Sequence, residues 1–249
     1  MRDTDQDWAH IAATSPYWGI LSVPEYQGNE ISPEMQEKFF ASGEVAVEAI
    51  FHEIRKIWPS FSPVRSLDFG CGVGRLLFPM AKRSQHAVGV DVAPNMLAMA
   101  EAASRRFGIE NVELKTSDDK LSQVTGTFDF VHSFIVMQHI PTSRGYRYFR
   151  RLLELLQNGG VFAIHFNFAK RRDLMQHELP MAKYYRREGH VLYDLVETHE
   201  HPTGTVTMYD YDLNELFAIA NEFTNKPIST QITAGDHLGI YIIGQRTQP

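Results

Sequence analysis

Three glycines fall within five positions, Gly70, Gly72 and Gly74, in the stretch LDFGCGVGR. They sit between an apolar run and a helical pattern, so they read as a loop whose bare backbone N–H groups come close to a nucleotide-like ligand. The dinucleotide fingerprint needs glycines at the first, third and sixth positions, and the sixth from Gly70 is Arg75. That argues against an NAD-type site. Asp68 precedes the loop, and Asp91 ends the next apolar run, where a carboxylate can accept two hydrogen bonds from a ribose diol. Acids flanking a glycine loop oppose a pyrophosphate and favour a ligand with an amine and a positive centre.

Candidate proton carriers are few. His139, in VMQHIP, falls just after the fourth apolar run. It reads either as a general base or as a residue that packs the start of the next helix. His165 lies near the end of the fifth run, opposite in alternation to Ile164 and Phe166, and a hydrogen-bonded structural role suits it equally. Tyr209 and Tyr211, in MYDYD, read as acceptor-facing aromatics or as core. His199-Glu200-His201 has metal-ligand residue types but no third ligand in view, so a solvated turn is the better reading and no metal is expected. Arg144, Arg147 and Arg151 share a helix face with Glu154 and read as solvated surface. Lys170-Arg171-Arg172 and Arg186-Arg187 either grip an anionic acceptor or keep a loop solvated. Cys71 reads as a packing residue, with no neighbouring base to activate it.

The elements that must hold these residues alternate. Apolar runs at 64–70, 86–92, 111–117, 128–135 and 159–168 are separated by helical patterns at 75–83, 94–108 and 143–158, the mark of parallel strands with crossover helices. Pro79 inside the first pattern shortens or kinks it. Helical patterning fills much of residues 1–62, with an aromatic loop around Tyr17-Trp18. Residues 169–209 read as a polar, aromatic and irregular excursion, Tyr184-Tyr185 included, too long for a plain connection. A helix at 212–223 leads to two runs separated only by Ala234–His237, which allows an antiparallel hairpin and not a parallel crossover.

The bulk numbers fit an ordinary globular chain of 249 residues, 43% hydrophobic, with net charge -6. That charge argues against nucleic acid and anionic lipid as partners. One cysteine allows no intrachain disulfide and no multi-cysteine metal site. The acidic opening MRDTDQD is unlike a signal peptide, no apolar run approaches the length needed to span a bilayer, and a cytoplasmic location is expected. Oligomeric state is not legible. With no repeat or linker to divide it, the chain reads as one domain over 1–249. Its parts are an N-terminal helical cap at 1–62, a cofactor-binding core at 63–168, a substrate-side insertion at 169–209 and a C-terminal helix with a strand hairpin at 210–249.

LDFGCGVGR, followed by GVDVAPNML, SDD and FDFVHSFIVMQHIP, resembles the class I S-adenosylmethionine-dependent methyltransferases, of the small-molecule type, from about Phe39 to Gly160. The resemblance implies an α/β fold, a Rossmann-like doubly wound sheet of seven strands, mostly parallel with the last antiparallel. Asp68, Gly70, Cys71, Gly72 and Gly74 would line the methionine part of S-adenosyl-L-methionine. Asp91 would hold the ribose, Val92 and Met96 would lie beside the adenine, and Asp118 or Asp119 would accept from its amino group. Ser133, Phe134 and Val136 would border the methyl group, while Phe39, Phe40 and Gly43 would belong to a helix closing over the cofactor. Phe39, Tyr209 and Tyr211 are expected to face the acceptor, with His139 as base. The activity implied is methyl transfer to O or N of a small molecule. A protein acceptor, or a module that binds the cofactor without turnover, is the alternative.

Overall fold

The computed structural model describes residues 4–170, 182–187, 190–195, 206–235 and 237–247. Helices α1 (Thr4–Thr14), α2 (Pro16–Ile20) and α3 (Pro33–Ile57) precede the first strand. The Ser32 hydroxyl caps α3 by accepting from the Met35 N–H, and Pro33 occupies its first turn. Phe39, Gly43, Val47, Ile50, Phe51 and Ile54 then recur at helical spacing and bury one stripe.

Strands β1 (Arg65–Phe69), β2 (His86–Asp91), β3 (Val112–Thr116), β4 (Phe128–Ser133) and β5 (Leu156–Lys170) alternate with α4 (Leu77–Ala81), α5 (Pro94–Arg106) and α6 (Thr142–Glu154). A two-stranded ribbon, β6 (Ala182–Arg187) and β7 (His190–Leu195), follows. Then come α7 (Leu213–Asn221), β8 (Ser229–Ala234) and β9 (His237–Gln245). The main sheet has seven strands in the order β3-β2-β1-β4-β5-β9-β8. β1 to β5 run parallel, β9 is antiparallel to β5, and β8 pairs antiparallel with β9. This is the expected doubly wound, Rossmann-like sheet with its antiparallel end.

Both faces of the sheet are covered, so β1, β2 and β4 are buried along most of their length. On one face α6 and α7 pack Tyr148, Phe149, Leu152 and Leu216 against Phe128, Phe162 and Phe166. On the other, Val47, Phe51 and Ile54 of α3 meet Phe130, Val161 and Tyr241. Strand order reverses between β1 and β4, so the carboxyl ends of those strands frame the crevice where such sheets take ligands.

Three local readings change. The helix after the glycines is only five residues, Leu77–Ala81, because Pro79 lacks a donor for the ladder. The aromatic loop at Tyr17-Trp18 is helical, with Tyr17 buried against Phe39. The excursion after β5, expected to be irregular, contains the β6–β7 ribbon, whose segments AKYYRR and HVLYDL carry strand-favouring tyrosines and a valine. Residues 171–181 and 196–205 lie outside the described residues, as do the side chains of the ribbon. The readings of Arg171, Arg172, Tyr184, Tyr185, Arg186, Arg187, His199, Glu200 and His201 therefore fall there. Among the described residues no helix is long and apolar enough to cross a membrane.

Candidate active site

The loop after β1 turns back on itself at Gly70, Gly72 and Gly74, whose φ angles are 75°, 54° and 93°. Side chains are disfavoured there by backbone conformation alone. A Cβ at each would also collide with the protein itself: with Val136 at Gly70, Ile20 at Gly72 and Phe78 at Gly74. The glycines thus answer first to the loop's own fold, a correction to the reading that the ligand alone demands them. The Gly70 and Cys71 N–H groups are spent on the Val90 carbonyl, at 2.7 and 3.0 Å, which ties β1's tip to β2.

Beside the loop lies a cleft walled by Asp68, Gly70, Cys71, Gly72, Asp91, Val92, Met96, Phe134 and His139, all of them expected site residues. Asp91 caps two donors at once: Oδ2 accepts from the Gly72 N–H and Oδ1 from the Ala93 N–H, each at 2.9 Å. Desolvation nevertheless raises its pKa to about 6, and the Asp68 charge adds to the rise. Each carboxylate oxygen keeps a second lone pair for a hydroxyl donor. Burial likewise pushes the Cys71 thiol well above its ordinary value, so it is unreactive packing.

The cleft also holds groups that pattern reading passed over. Arg75 is only 5% exposed and reaches the cleft wall, where its Nη1 donates to Ser42 Oγ at 3.3 Å while the buried Nε has no partner. Its sequence signal was present, an arginine directly after the third glycine, but it served only to reject a dinucleotide. Ser117, Arg144 and Tyr148 line the far side. Thr4, Asp5 and Trp8 of α1 and Ile20 of α2 complete the wall, so the covering elements include these short N-terminal helices. Phe39, expected on that cover and facing the acceptor, is fully buried between Tyr17 and Tyr26 and lines core, not cleft.

Arg144 corrects the reading of a solvated basic face. It is an ion-pair hub, donating to both oxygens of Asp5 at 2.6 and 2.8 Å and through Nε to Asp119 at 2.7 Å. Those partners, Asp5 first, raise its pKa further. Asp119 is therefore engaged with an arginine. Asp118 turns away, accepting from the Lys120 and Ser122 N–H groups at 2.9 Å and from the Ser122 hydroxyl, and neither acid lines the cleft. Ser133 is fully buried, its hydroxyl donating to the Phe69 carbonyl at 2.9 Å, so it ties β4 to β1 and does not border the cleft.

His139 ends a 3-10 turn, Met137–His139, after β4. Its Nδ1 sits 3.0 Å from the Thr207 carbonyl, which fixes Nδ1 as the donor. Nε2 is then the acceptor, 3.2 Å from the Gln138 amide nitrogen, with the Trp8 ring edge-on at 4.9 Å. Burial lowers its pKa to about 4, so the ring is neutral at neutral pH. Tyr211, expected to face the acceptor, is instead buried, its hydroxyl donating to the Met137 and Ile140 carbonyls, each 2.8 Å away. Tyr209 joins the same core edge, and its N–H donates to the Gln138 carbonyl at 2.6 Å. His165 is structural by contact: Nε2 pairs with Thr233 Oγ1 at 2.8 Å, between the Phe134 and Tyr241 rings.

Residues 67–160 match the family model described as a methyltransferase domain. Over 101 residues the chain is 33% identical to the ubiquinone biosynthesis O-methyltransferase of Ruegeria pomeroyi, covering 41% of this chain and 40% of that protein. It is 23% identical over 163 residues to the sterol 4-C-methyltransferase strm-1 of Caenorhabditis elegans, covering 63% of this chain and 47% of that one. The chain thus spans less than half the length of these relatives. Among solved structures, magnesium protoporphyrin IX methyltransferase from Synechocystis with bound S-adenosylmethionine superposes with a TM-score of 0.61 at 16% identity, covering 99% of both chains. An N-methyltransferase from Bradyrhizobium japonicum, in complex with S-adenosylhomocysteine, does so at 0.59 and 14%, covering 99% of this chain and 100% of that one. At such identities the superpositions establish the shared fold.

Proposed function

We propose that residues 67–160, which match a methyltransferase domain, work as a class I S-adenosylmethionine-dependent methyltransferase and that this protein transfers a methyl group from S-adenosyl-L-methionine to O or N of a small-molecule acceptor. The observation that carries the reading is the chemistry of the cleft: a carboxylate, Asp68, and a guanidinium, Arg75, that makes no ion pair among the described residues, at one end, with Asp91 on the neighbouring strand tip. That donor set suits an amino-acid end joined to a ribose, and it would oppose a pyrophosphate. Val92 and Met96 supply an apolar wall for a base. When bound, the cofactor supplies a methyl group already activated on a sulfonium.

The chain's own residues then have limited tasks. They bind both ligands, align the acceptor and exclude water. Phe134, Val136 and Trp8 form the apolar part of the wall. A neutral His139 with its lone pair on Nε2 accepts a hydrogen bond from an acceptor hydroxyl or amine once Gln138 gives way, although the burial that keeps it neutral also makes it a weak base. The acceptor atom does not follow from kinship, since the relatives above methylate oxygen and carbon. The O or N reading is supported by this neutral imidazole at the cleft.

Isothermal titration calorimetry tests the reading. S-adenosylmethionine and its product S-adenosylhomocysteine should bind, and NAD should not. A reversed preference would end it.

A further inference from the structure

Behind the cleft wall runs a buried hydrogen-bonded chain that the proposed chemistry has not used. Asp68 and His132 are register partners on β1 and β4, exposed by 2% and 1%. His132 Nδ1 lies 3.0 Å from Asp68 Oδ1, and His132 Nε2 lies 3.3 Å from the Tyr241 hydroxyl on β9. With the ring neutral, both contacts are satisfied when Tyr241 O–H donates to Nε2 and Nδ1–H donates to the carboxylate. Phe130 and Tyr241 hold the ring between them, and Phe134 stacks on the outer face of Tyr241 at 5.3 Å. Asp68 Oδ1 is thereby taken. Oδ2 makes no hydrogen bond among the described residues, and Asp68 lines the cleft.

A buried carboxylate with one oxygen fixed from behind and the other free toward a cavity is well suited to a cationic donor in that cavity. Arg75, on the same wall, makes no ion pair among the described residues and bonds only to Ser42. Asp68 is close enough for its charge to act on Arg75, yet among the described residues the two make no direct ion pair, and opposite charges so placed match the two ends of a zwitterion.

We propose that His132, itself held by Tyr241, is a positioning residue that fixes Asp68 so that its free oxygen receives the α-ammonium group of the cofactor. This rests on the S-adenosylmethionine reading above and adds to it a residue that touches no ligand. Any side chain that fills space at 132 would preserve the sheet. Only one that donates from the Nδ1 position would preserve the aim of the carboxylate.

The experiment measures, by calorimetry, the ratio of affinities for S-adenosylhomocysteine and for S-adenosyl-4-mercaptobutyrate, the same molecule without its amine. Wild type should prefer the amine-bearing ligand by at least tenfold, about 1.4 kcal/mol. His132→Leu should reduce that preference to within about threefold while leaving the affinity for the amine-free ligand nearly unchanged. His132→Asn, whose amide nitrogen stands close to where Nδ1 was, should restore most of it. Equal weakening of both ligands, or a preference unaltered by His132→Leu, would overturn the proposal. Should His132→Leu not fold by circular dichroism, the same ratio in Tyr241→Phe decides, with a reduced preference expected and an unchanged one fatal. A wild type that binds neither ligand would remove the methyltransferase reading itself, which is a different result from a wild type that binds both alike.

Discussion

Arg144 on α6 grips both carboxylate oxygens of Asp5 on α1, at 2.6 and 2.8 Å, and so fastens an N-terminal helix across the cleft mouth. The guanidinium side chain is 17% exposed and Asp5 37%, so solvent screens the pair and its contribution to global stability is modest, about 1 kcal/mol or less. Its consequence is local: Thr4, Asp5 and Trp8 are wall residues, so loosening α1 opens that side of the cleft. Asp5→Ala should therefore shift the thermal melt by only a few degrees. The off-rate of S-adenosylhomocysteine in stopped-flow should rise several-fold. An unchanged off-rate would mean that ligand enters elsewhere.

Asp91 is the second lever. Its two oxygens organise the Gly72 and Ala93 N–H groups and keep lone pairs for a ribose diol. Asp91→Ala should weaken S-adenosylmethionine binding by several-fold to a hundredfold, about 1 to 3 kcal/mol for hydrogen bonds to a charged acceptor. Calorimetry reads this directly. Full affinity in the variant would place the ribose away from this strand tip.

The parallel core was legible because its strands are buried on both faces and its punctuation is strong, with glycines after β1 and Pro94 opening α5, whereas α6 ends at Glu154 and Gly159, expected to stop it, lies inside β5. The hairpin of β8 and β9 followed from a link too short for a crossover. Asp68 and Asp91 were found because their chemistry is local to the strand tips. Asp118, Ser133, Phe39 and Tyr211 lie off the cleft wall because motif position says which strand tip a residue occupies, not which way its side chain turns. The roles of Arg144, Arg75 and His132 were not legible from local pattern, since their partners lie 139, 33 and 64 residues away in the chain. Helix α1 was obscured by its polar sequence, TDQDWAHIAAT, in which few residues advertise a buried face.

The titration of buried groups fixes a pH signature. His139 and His165 are each lowered to about 4 by burial, whereas in the unfolded chain they titrate near about 6.5. Between those values the unfolded state binds more protons, so each histidine contributes stability that is fully present above about pH 6.5 and is lost as pH falls toward 4, on the order of 2 to 3 kcal/mol apiece. Asp91 acts oppositely: raised to about 6, it contributes stability below its unfolded value near 4 that is lost as pH rises through 6. With two histidines against one aspartate, urea midpoints should fall between pH 6.5 and 4. His165→Gln should flatten that decline; a slope unaltered by the substitution would assign it to other groups.

Tyr211 sets the position of the turn that carries His139. Its hydroxyl has one proton and two acceptors, the Met137 and Ile140 carbonyls at 2.8 Å each, and both lie in the 3-10 turn or just after it. A Cβ at Gly145 would overlap that hydroxyl, so α6 also approaches closely enough to hold the tyrosine in place. Tyr211→Phe keeps the ring contacts with Tyr146 and Phe166 but leaves two carbonyls without this donor. The loss should be about 1 to 3 kcal/mol, or roughly 2–12 °C in the melt of a chain this size. The turn, no longer pinned, should let the His139 ring depart from its Thr207 bond, so its imidazole resonances should broaden in NMR and its pKa rise from about 4 toward the ordinary value. A His139 titration identical to wild type would show that the turn is held by other contacts.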